Sequence, residues 1–362
     1  MPVVRSIKAI HEVYAGGVKP LPAEDLEHIL RHTGPLWDAA RGRRIFISGG
    51  TGFFGVWLLE SLAFCNRRLD LDLSATVLSR DPVRFLRRLP HLAHEDSVRL
   101  LHGDVRDFAF PAGSFDYVIH GATPTSGDEA RPPELPANMV AGAARMLEMA
   151  KARGTRRFLF TSSGAVYGEQ PDQMSHILED YPGSSNGLTA YGEAKLESER
   201  VCRQCAQESG IELALARCFT FVGPHLPLDL NFAIGNFIGD ALAGRTIRIG
   251  GDGTPVRSYL YAADLAIWLW TLLLQPVGVS SEPQVYNVGS GEAISIEELA
   301  RMVVEELNSS LRVEIAQTQK PGAPRQRYVP DVTKAEKQLG LRPLIPLRQA
   351  IRRTADWYSK TS

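Results

Sequence analysis

A tyrosine and a lysine at helical spacing are the first residues in this chain that could do chemistry together. Tyr191 and Lys195 stand in the segment YGEAK, and residues at i and i+4 of a helix stack one turn apart on one face. A lysine ammonium beside a phenol favours the phenolate, so the pair can take a proton from a hydroxyl group or return it. The same spacing also occurs in ordinary surface pairs. Ser162 and Ser163, which end the apolar run RRFLFTSS, could hydrogen-bond the oxygen on which Tyr191 acts.

A glycine-rich turn is the second candidate for chemistry. The apolar run RRIFIS leads into GGTGFFG, and the helical segment VWLLESLAF follows. Glycines at this spacing let the backbone turn sharply and approach a pyrophosphate, while the helix N-terminus offers unpaired N–H groups and partial positive charge. We therefore expect a dinucleotide site formed by these residues: Gly49, Thr51, Gly52, Phe53, Phe54 and Gly55.

The residue after the next apolar run, ATVLS, bears on the choice between NAD and NADP. An acidic residue there would bond the ribose 2′-hydroxyl of NAD, whereas an arginine can pair with the 2′-phosphate of NADP. Arg80 therefore favours NADP within an NAD(P) site, although Asp81 could serve the hydroxyl if the loop shifts by one residue. Later strand ends add these candidates: Asp104 and Val105 at the adenine edge, and Ala122 and Thr123 at the middle of the cofactor.

The elements that must position these residues alternate between short apolar runs and helical stretches. Such runs, separated by helices, predict an α/β fold with a doubly wound parallel sheet and a ligand crevice at the carboxyl ends of the strands. We expect an N-terminal helical extension over residues 1–43 and a dinucleotide-binding domain over 44–223. Residues 224–362 should form mainly a smaller substrate-binding lobe, with 259–290 returning to the first domain.

Charge and composition argue against several classes of function. The 362 residues carry 40 basic and 41 acidic side chains without a basic stripe, which argues against a nucleic-acid partner. The apolar run LAIWLWTLLL is about half as long as a bilayer requires, so we expect a buried helix and no membrane partner. The first residues lack the pattern of a signal peptide, which favours a cytoplasmic location.

The cysteines predict neither a disulfide framework nor a metal site. Cys202 and Cys205 have the C-x-x-C spacing of redox and zinc sites, but no second pair follows. Their segment, EAKLESERVCRQCAQESG, has the pattern of a helix.

Taken together, the motifs resemble the NAD-dependent epimerase/dehydratase family, the extended short-chain dehydrogenases, over about residues 44–360. The likeness rests on the glycine loop, Ser163 before VYG, the Tyr191–Lys195 pair, and the later segments ARCFTFVGP, RSYLYAADLA and YNVGSGEAIS. It implies a Rossmann fold, a nucleotide-diphosphate sugar as substrate, and a homodimer. It also implies that Tyr191 is the base that yields a transient ketosugar, Ser163 its hydroxyl partner, Lys195 its modulator, and Asn138 a cofactor-site residue.

Departures from the family pattern narrow the expected reaction. Members similar to dTDP-glucose 4,6-dehydratase have Thr-Asp-Glu where this chain has Ser163, Gly164 and Ala165, and UDP-glucuronate decarboxylases keep the glutamate. The small residues resemble those of UDP-galactose 4-epimerases and favour an epimerase or a ketosugar oxidoreductase. A dehydratase or decarboxylase that takes its acid and base from Glu169 or Glu193 stays open. So does a non-catalytic NADP-binding regulatory protein.

The resemblance also implies the substrate contacts. Arg257 and Arg325 match arginines that grip the diphosphate, and charge-assisted bonds suit them to that task. The remaining candidates are Thr123 and Ser163 near the reacting carbon, Thr220 where many relatives have an asparagine, and Asn236. His225 resembles the histidine that acts as an acid in GDP-fucose synthase. The simpler interpretation is that it is an ordinary loop histidine.

Overall fold

Fourteen strands and ten α-helices are found among residues 19–123, 134–230, 232–275, 283–319, 322 and 325–359, which the computed structural model describes. The strands are β1 (Arg44–Ser48), β2 (Ser74–Ser79), β3 (Val98–His102), β4 (Tyr117–His120), β5 (Arg157–Ser163), β6 (Glu212–Cys218), β7 (Phe221–Val222), β8 (Ile247–Ile249), β9 (Val256–Arg257), β10 (Leu260–Tyr261), β11 (Gln284–Val288), β12 (Ile294–Ser295), β13 (Val313–Ile315) and β14 (Arg327–Tyr328). The helices are α1 (Ala23–Thr33), α2 (Phe53–Leu69), α3 (Pro82–Arg88), α4 (Leu135–Ala152), α5 (Ala190–Ser209), α6 (Ala233–Leu242), α7 (Ala262–Leu274), α8 (Ile296–Leu307), α9 (Thr333–Leu339) and α10 (Leu347–Ser359).

Seven of the strands form one parallel sheet. Its order is β11-β6-β5-β4-β1-β2-β3, and every neighbouring pair runs parallel. The order reverses at β1, which lies between β2 and β4, and ligands of doubly wound folds bind at such a switch point. The predicted fold class is thereby confirmed as a Rossmann-type α/β sheet.

Helices cover both faces of this sheet, which explains why its strands are continuous apolar runs. Ile45 and Ile47 of β1 pack into the cluster that contains α2 and α7. Phe46, between them in sequence, packs on the opposite face with residues of α4 such as Met146 and residues of α5 such as Cys202. Successive strand residues point to opposite faces, so burial on both sides demands apolar side chains at every position.

The apolar run LAIWLWTLLL lies in α7, where every residue is buried. The helix packs on α1, α2, β5 and β6. This confirms the expectation of a buried core helix. Among the residues described, no helix is both long and apolar enough to cross a bilayer.

Helix α1 ties the two ends of the described chain together. The Asp25 carboxylate is 0% exposed, accepts a 2.6 Å hydrogen bond from Tyr261 Oη and pairs with Arg353 of α10. In the same region Trp357 Nε1 of α10 donates to the Pro20 carbonyl at 3.1 Å. The predicted N-terminal extension therefore packs against the main body through α1, whereas its first 18 residues lie outside the described part of the chain.

The residues predicted to form the smaller lobe include short strands and the helices α6, α8 and α10. Strand β9 pairs with β12 and β14, β8 pairs with β13, and α6, α8 and α10 pack together. Between these elements the chain returns to the large sheet, because β11 pairs with β6, whereas β10 and β7 form a separate two-stranded sheet. The division into domains at residue 223 stays a prediction.

The C-x-x-C pair lies on α5, as its helical pattern predicts. Cys202 is buried and Cys205 partly buried, and neither forms a disulfide. Burial raises the pKa of both thiols, which makes them poor nucleophiles and poor metal ligands. Within the described ranges, His, Cys, Asp and Glu side chains form no group of three or more that could hold a metal.

Candidate active site

A cleft of about 1060 Å³ opens at the carboxyl ends of the strands. Most of the residues singled out in the sequence line it: Gly49, Thr51, Gly52, Phe53, Phe54, Gly55, Arg80, Asp104, Val105, Ala122, Thr123, Asn138, Ser162, Ser163, Tyr191, Lys195, Thr220 and Arg257. Asn236, on α6, and Arg325, which is exposed, lie outside this lining. The strand order brings the others together because parallel strands end at the same edge of a sheet.

The glycine loop has the geometry of an anion cradle. Gly49 has a φ of +78°, and a Cβ atom there would lie 2.3 Å from the Gly121 carbonyl carbon, so only glycine fits. A Cβ atom at Gly55 would meet the Gly50 carbonyl carbon at 2.2 Å. Gly52 has no side chain to cap the first N–H groups of α2, which leaves that helix N-terminus to a ligand. These features fit the pyrophosphate of a dinucleotide.

Arginines dominate the end of the cleft beside β2. Arg80 is exposed and lines the cleft, whereas the Asp81 carboxylate accepts a 2.9 Å bond from Arg84 N–H and caps α3. Arg88, at the end of α3, donates to the Thr51 carbonyl at 2.6 Å and also lines the cleft. Asp81 is thus engaged by its helix, while Arg80 and Arg88 bring positive charge to the cleft lining.

Asp104 lines the part of the cleft that follows β3. Its carboxylate accepts three bonds from Arg106, which hold the pKa of Asp104 below its usual range. Arg106 also donates to Asn138 Oδ1 at 3.3 Å, which links the strand end to α4. Asp104 and Asn138 thus form one polar edge of the cleft.

Lys195 is held rigidly one turn after Tyr191. Its ammonium donates to Thr123 Oγ1 and to the Thr161 carbonyl, both at 2.8 Å, and lies 5.9 Å from the centre of the Tyr191 ring. The lysine is 2% exposed, and burial lowers its pKa to about 8. The Thr189 hydroxyl caps α5 by accepting the Gly192 N–H at 3.1 Å, which fixes the first helical turn and with it Tyr191.

This cleft can therefore bind a dinucleotide and move a proton, and comparison with known proteins agrees. The model of the "NAD dependent epimerase/dehydratase family" matches residues 45–289. The chain belongs to this family. The resemblance seen in the motifs is confirmed.

Relatives of the epimerase/dehydratase family cover most of the chain. UDP-glucuronic acid decarboxylase 5 from Arabidopsis thaliana is 31% identical over 314 residues, 85% of this chain and 87% of the relative. The structure of UDP-glucose 4-epimerase from Thermotoga maritima with UDP-glucose has a TM-score of 0.72 at 22% identity and covers 88% of this chain and 99% of that chain.

A second solved structure was determined with a dinucleotide. It is a mutant of UDP-glucuronic acid 4-epimerase from Bacillus cereus in complex with UDP-4-deoxy-4-fluoroglucuronic acid and NAD. Its TM-score is 0.74 at 20% identity, and the match covers 88% of this chain and 100% of that chain. At identities of 22% and 20%, the two structures show that this chain has the same fold, and no more.

The two serines of the family motif have different surroundings. Ser162 Oγ donates to Glu199 Oε1 at 2.5 Å, and Glu199 pairs with Arg217, so this hydroxyl is held by a buried ion pair. The Ser162 proton is therefore not available to a ligand. Ser163 Oγ accepts the Ala165 N–H at 3.1 Å and lines the cleft. Of the two, Ser163 has the hydroxyl that can serve the reaction.

Two of the residues expected to contact the substrate, Thr220 and Arg257, donate hydrogen bonds to backbone carbonyls. The Thr220 hydroxyl donates to the Ser258 carbonyl, and Arg257 donates to the Val256 carbonyl at 2.9 Å. Burial lowers the pKa of Arg257, which is one of the cationic groups lining the cleft. His225 also lines the cleft, but burial lowers its pKa to about 3, so it is neutral and cannot act as an acid near neutral pH.

Among the lining residues missed in the sequence are three with long polar side chains: Arg88, Arg106 and Tyr259. Tyr259 stands two positions after Arg257, and an extended backbone places such residues on one face, so alternation could have identified it. Arg106 had a similar local signal, because it follows Asp104 by two positions. Arg88 had none, since its place depends on how α3 packs beside the glycine loop.

Proposed function

We propose that this protein oxidises and re-reduces one hydroxyl-bearing carbon of a nucleotide-diphosphate sugar, as an epimerase or a ketosugar oxidoreductase. The observation that carries the proposal is the Lys195 ammonium, fixed by two hydrogen bonds beside Tyr191 in a cleft that Ser163 also lines. When bound, a nicotinamide dinucleotide would supply the hydride acceptor and donor. The residues of the chain handle the proton.

In the proposed reaction Tyr191 takes the proton from the sugar hydroxyl, and the adjacent ammonium of Lys195 stabilises the resulting charge. Ser163 hydrogen-bonds the same oxygen as it changes from hydroxyl to carbonyl. Return of the proton from Tyr191 completes the re-reduction. An epimer forms when the ketosugar turns and takes the hydride back on the opposite face of its carbonyl. A ketosugar reductase instead reduces the carbonyl once and releases the product.

The residues after Ser163 support this proposal over elimination of water. Gly164 and Ala165 cannot transfer a proton. Glu169 and Glu193, the carboxylates that could replace a missing acid or base, are exposed and lie outside the cleft lining. Oxidation needs neither of them.

Decarboxylation is the second candidate, because the matched Arabidopsis thaliana relative is a UDP-glucuronic acid decarboxylase. A sugar acid oxidised next to the carbon that bears its carboxylate is a β-keto acid, and such acids lose carbon dioxide readily. The same proton relay would therefore begin both reactions. Release of carbon dioxide from UDP-glucuronic acid distinguishes them.

We further propose NADP as the preferred dinucleotide and a homodimer as the assembly. Arg80 offers a cation at the expected position of a 2′-phosphate, Asp81 is engaged in capping α3, and Arg88 adds positive charge beside the glycine loop. Mass spectrometry of the copurified cofactor tests the first point, and recovery of unphosphorylated NAD alone would overturn it. Light scattering tests the second.

The decisive experiment incubates the purified protein with UDP-, GDP-, CDP- and dTDP-sugars and identifies the products by NMR. Tyr191→Phe should lower kcat by about 100-fold or more, because proton transfer by a positioned side chain contributes that much, and should retain the cofactor. Glu193→Gln, an exposed change on the same helix, should keep full activity. A regulatory protein would instead show no turnover with any sugar, and Tyr191→Phe would keep its cellular effect.

A further inference from the structure

The Lys195 ammonium is a buried cation that two neutral oxygens hold in place. One of its three N–H groups donates to Thr123 Oγ1 and another to the Thr161 carbonyl, both at 2.8 Å. Glu199, one helical turn further along α5, is paired with Arg217 instead. These two hydrogen bonds therefore replace much of the water that the ammonium loses on burial.

The two acceptors come from different strands of the sheet. Thr161 belongs to β5 and offers a backbone carbonyl, which no change of side chain removes. Thr123 follows the end of β4 by three residues and offers its side-chain hydroxyl. The sequence predicts that Thr123 contacts cofactor or substrate, and this residue does line the cleft. Its hydroxyl oxygen, however, is bonded to the lysine that serves Tyr191.

Titratable groups from three elements surround Lys195, and three of these groups are uncharged near neutral pH. The groups are His120 of β4, Cys218 of β6, and Tyr191, Glu199 and Cys202 of α5. The neighbouring strand β5 contributes the ring of Phe160, whose centre lies 4.8 Å from the ammonium nitrogen. Burial lowers the pKa of His120 to about 3 and raises the pKa of both thiols, so these three groups are neutral. Hydrogen bonds to neutral oxygens are therefore a main support of the charged lysine.

We propose that Thr123 is a positioning residue, whose hydroxyl oxygen holds the Lys195 ammonium beside Tyr191 and stabilises its charged form. The inference rests on the proposed oxidation and re-reduction for its catalytic part, because only a charged lysine stabilises the phenolate of Tyr191. An acceptor bonded to an ammonium raises the pKa of that group, so Thr123 opposes part of the lowering that burial causes.

The pH profile of kcat/KM tests this role, because it reports the titration of essential groups in the free enzyme. Thr123→Val replaces the hydroxyl by a methyl group of similar size. Loss of one hydrogen bond to a charged group should lower the pKa of Lys195 by about one unit, so activity should begin to fall at a pH about one unit lower. Thr123→Ala should do the same, whereas Thr123→Ser keeps the acceptor and should restore the wild-type profile.

Thr155→Val is the matched control. Thr155 is also a buried threonine, its hydroxyl has no hydrogen-bond partner among the described residues, and it lies outside the cleft lining. The pH profile of this variant should coincide with that of wild type.

A second readout needs no substrate and separates this inference from the proposed function. Wild type, Thr123→Val, Lys195→Met and the double variant are unfolded in urea at a series of pH values. A protein with Lys195 should gain stability over its Lys195→Met counterpart between the folded and unfolded pKa values of the lysine, because the unfolded chain binds more protons there. This gain should begin near pH 8 with Thr123 present and about one unit lower in the Thr123→Val background.

The outcomes distinguish the two proposals. A wild type without turnover refutes the proposed function alone, since the unfolding measurement still reports the lysine. The same onset of the stability gain in both backgrounds would overturn the role of Thr123. So would a Thr123→Val protein that binds the dinucleotide more weakly while Lys195 titrates as in wild type, because Thr123 would then act only as a ligand contact.

Discussion

The buried ammonium of Lys195 should make the stability of the protein depend on pH in the alkaline range. Burial lowers the pKa of Lys195 from 10.5 to about 8, so the folded state disfavours the charged lysine. Below pH 8 the burial of the charged lysine lowers the unfolding free energy by its full amount, which is about 3 kcal/mol for a pKa shift of this size. As the pH rises toward the unfolded value of 10.5, the unfolded chain binds more protons than the folded one, so stability rises.

Lys195→Met removes this dependence. Between pH 7.5 and 9.5, wild type should gain about 2 kcal/mol in unfolding free energy relative to Lys195→Met. Urea unfolding at both pH values measures the difference, and subtraction cancels the titration of other groups. Lys151→Met, an exposed change on α4, serves as the control and should follow wild type. Parallel pH profiles for wild type and Lys195→Met would refute the argument that this lysine is a destabilised buried cation.

Two further changes test other parts of the cleft. Arg80→Ala should weaken NADP binding about 10-fold and leave NAD binding within 2-fold, because only the 2′-phosphate loses a charge-assisted bond. Isothermal calorimetry checks this, and equal weakening of both would contradict it. Glu199→Gln should cost about 3–5 kcal/mol of unfolding free energy, because it leaves the Arg217 guanidinium buried without its partner carboxylate. A loss below about 1 kcal/mol in urea unfolding would show that Arg217 is solvated or paired elsewhere.

The parts of the site that depend on local sequence could be predicted, and those that depend on packing between lobes could not. The glycine loop and the Tyr191–Lys195 pair lie on single strand–helix units, so their spacing determined their geometry. The strand runs were equally clear, because burial on both faces leaves an unbroken apolar pattern.

Three features have physical reasons that no local pattern contains. Ser162 and Ser163 are neighbours in sequence, and only the fold brings the buried Glu199 of α5 to the Ser162 hydroxyl. Tyr328 reaches Gly164 through the pairing of two-residue strands, and strands this short show no periodic pattern from which their register could be predicted. Arg325 was expected in the cleft for the same reason that Arg257 was, but it lies in an exposed connection before β14.

The contact between α1 and α10 imposes an order on events during synthesis. Asp25 leaves the ribosome 328 residues before its cationic partner Arg353. A buried carboxylate without a partner is costly, so we expect α1 not to dock stably until α10 has been made. In chains stalled on the ribosome before α10 is made, α1 should be cut readily by protease, and protection of α1 in such chains would contradict this order.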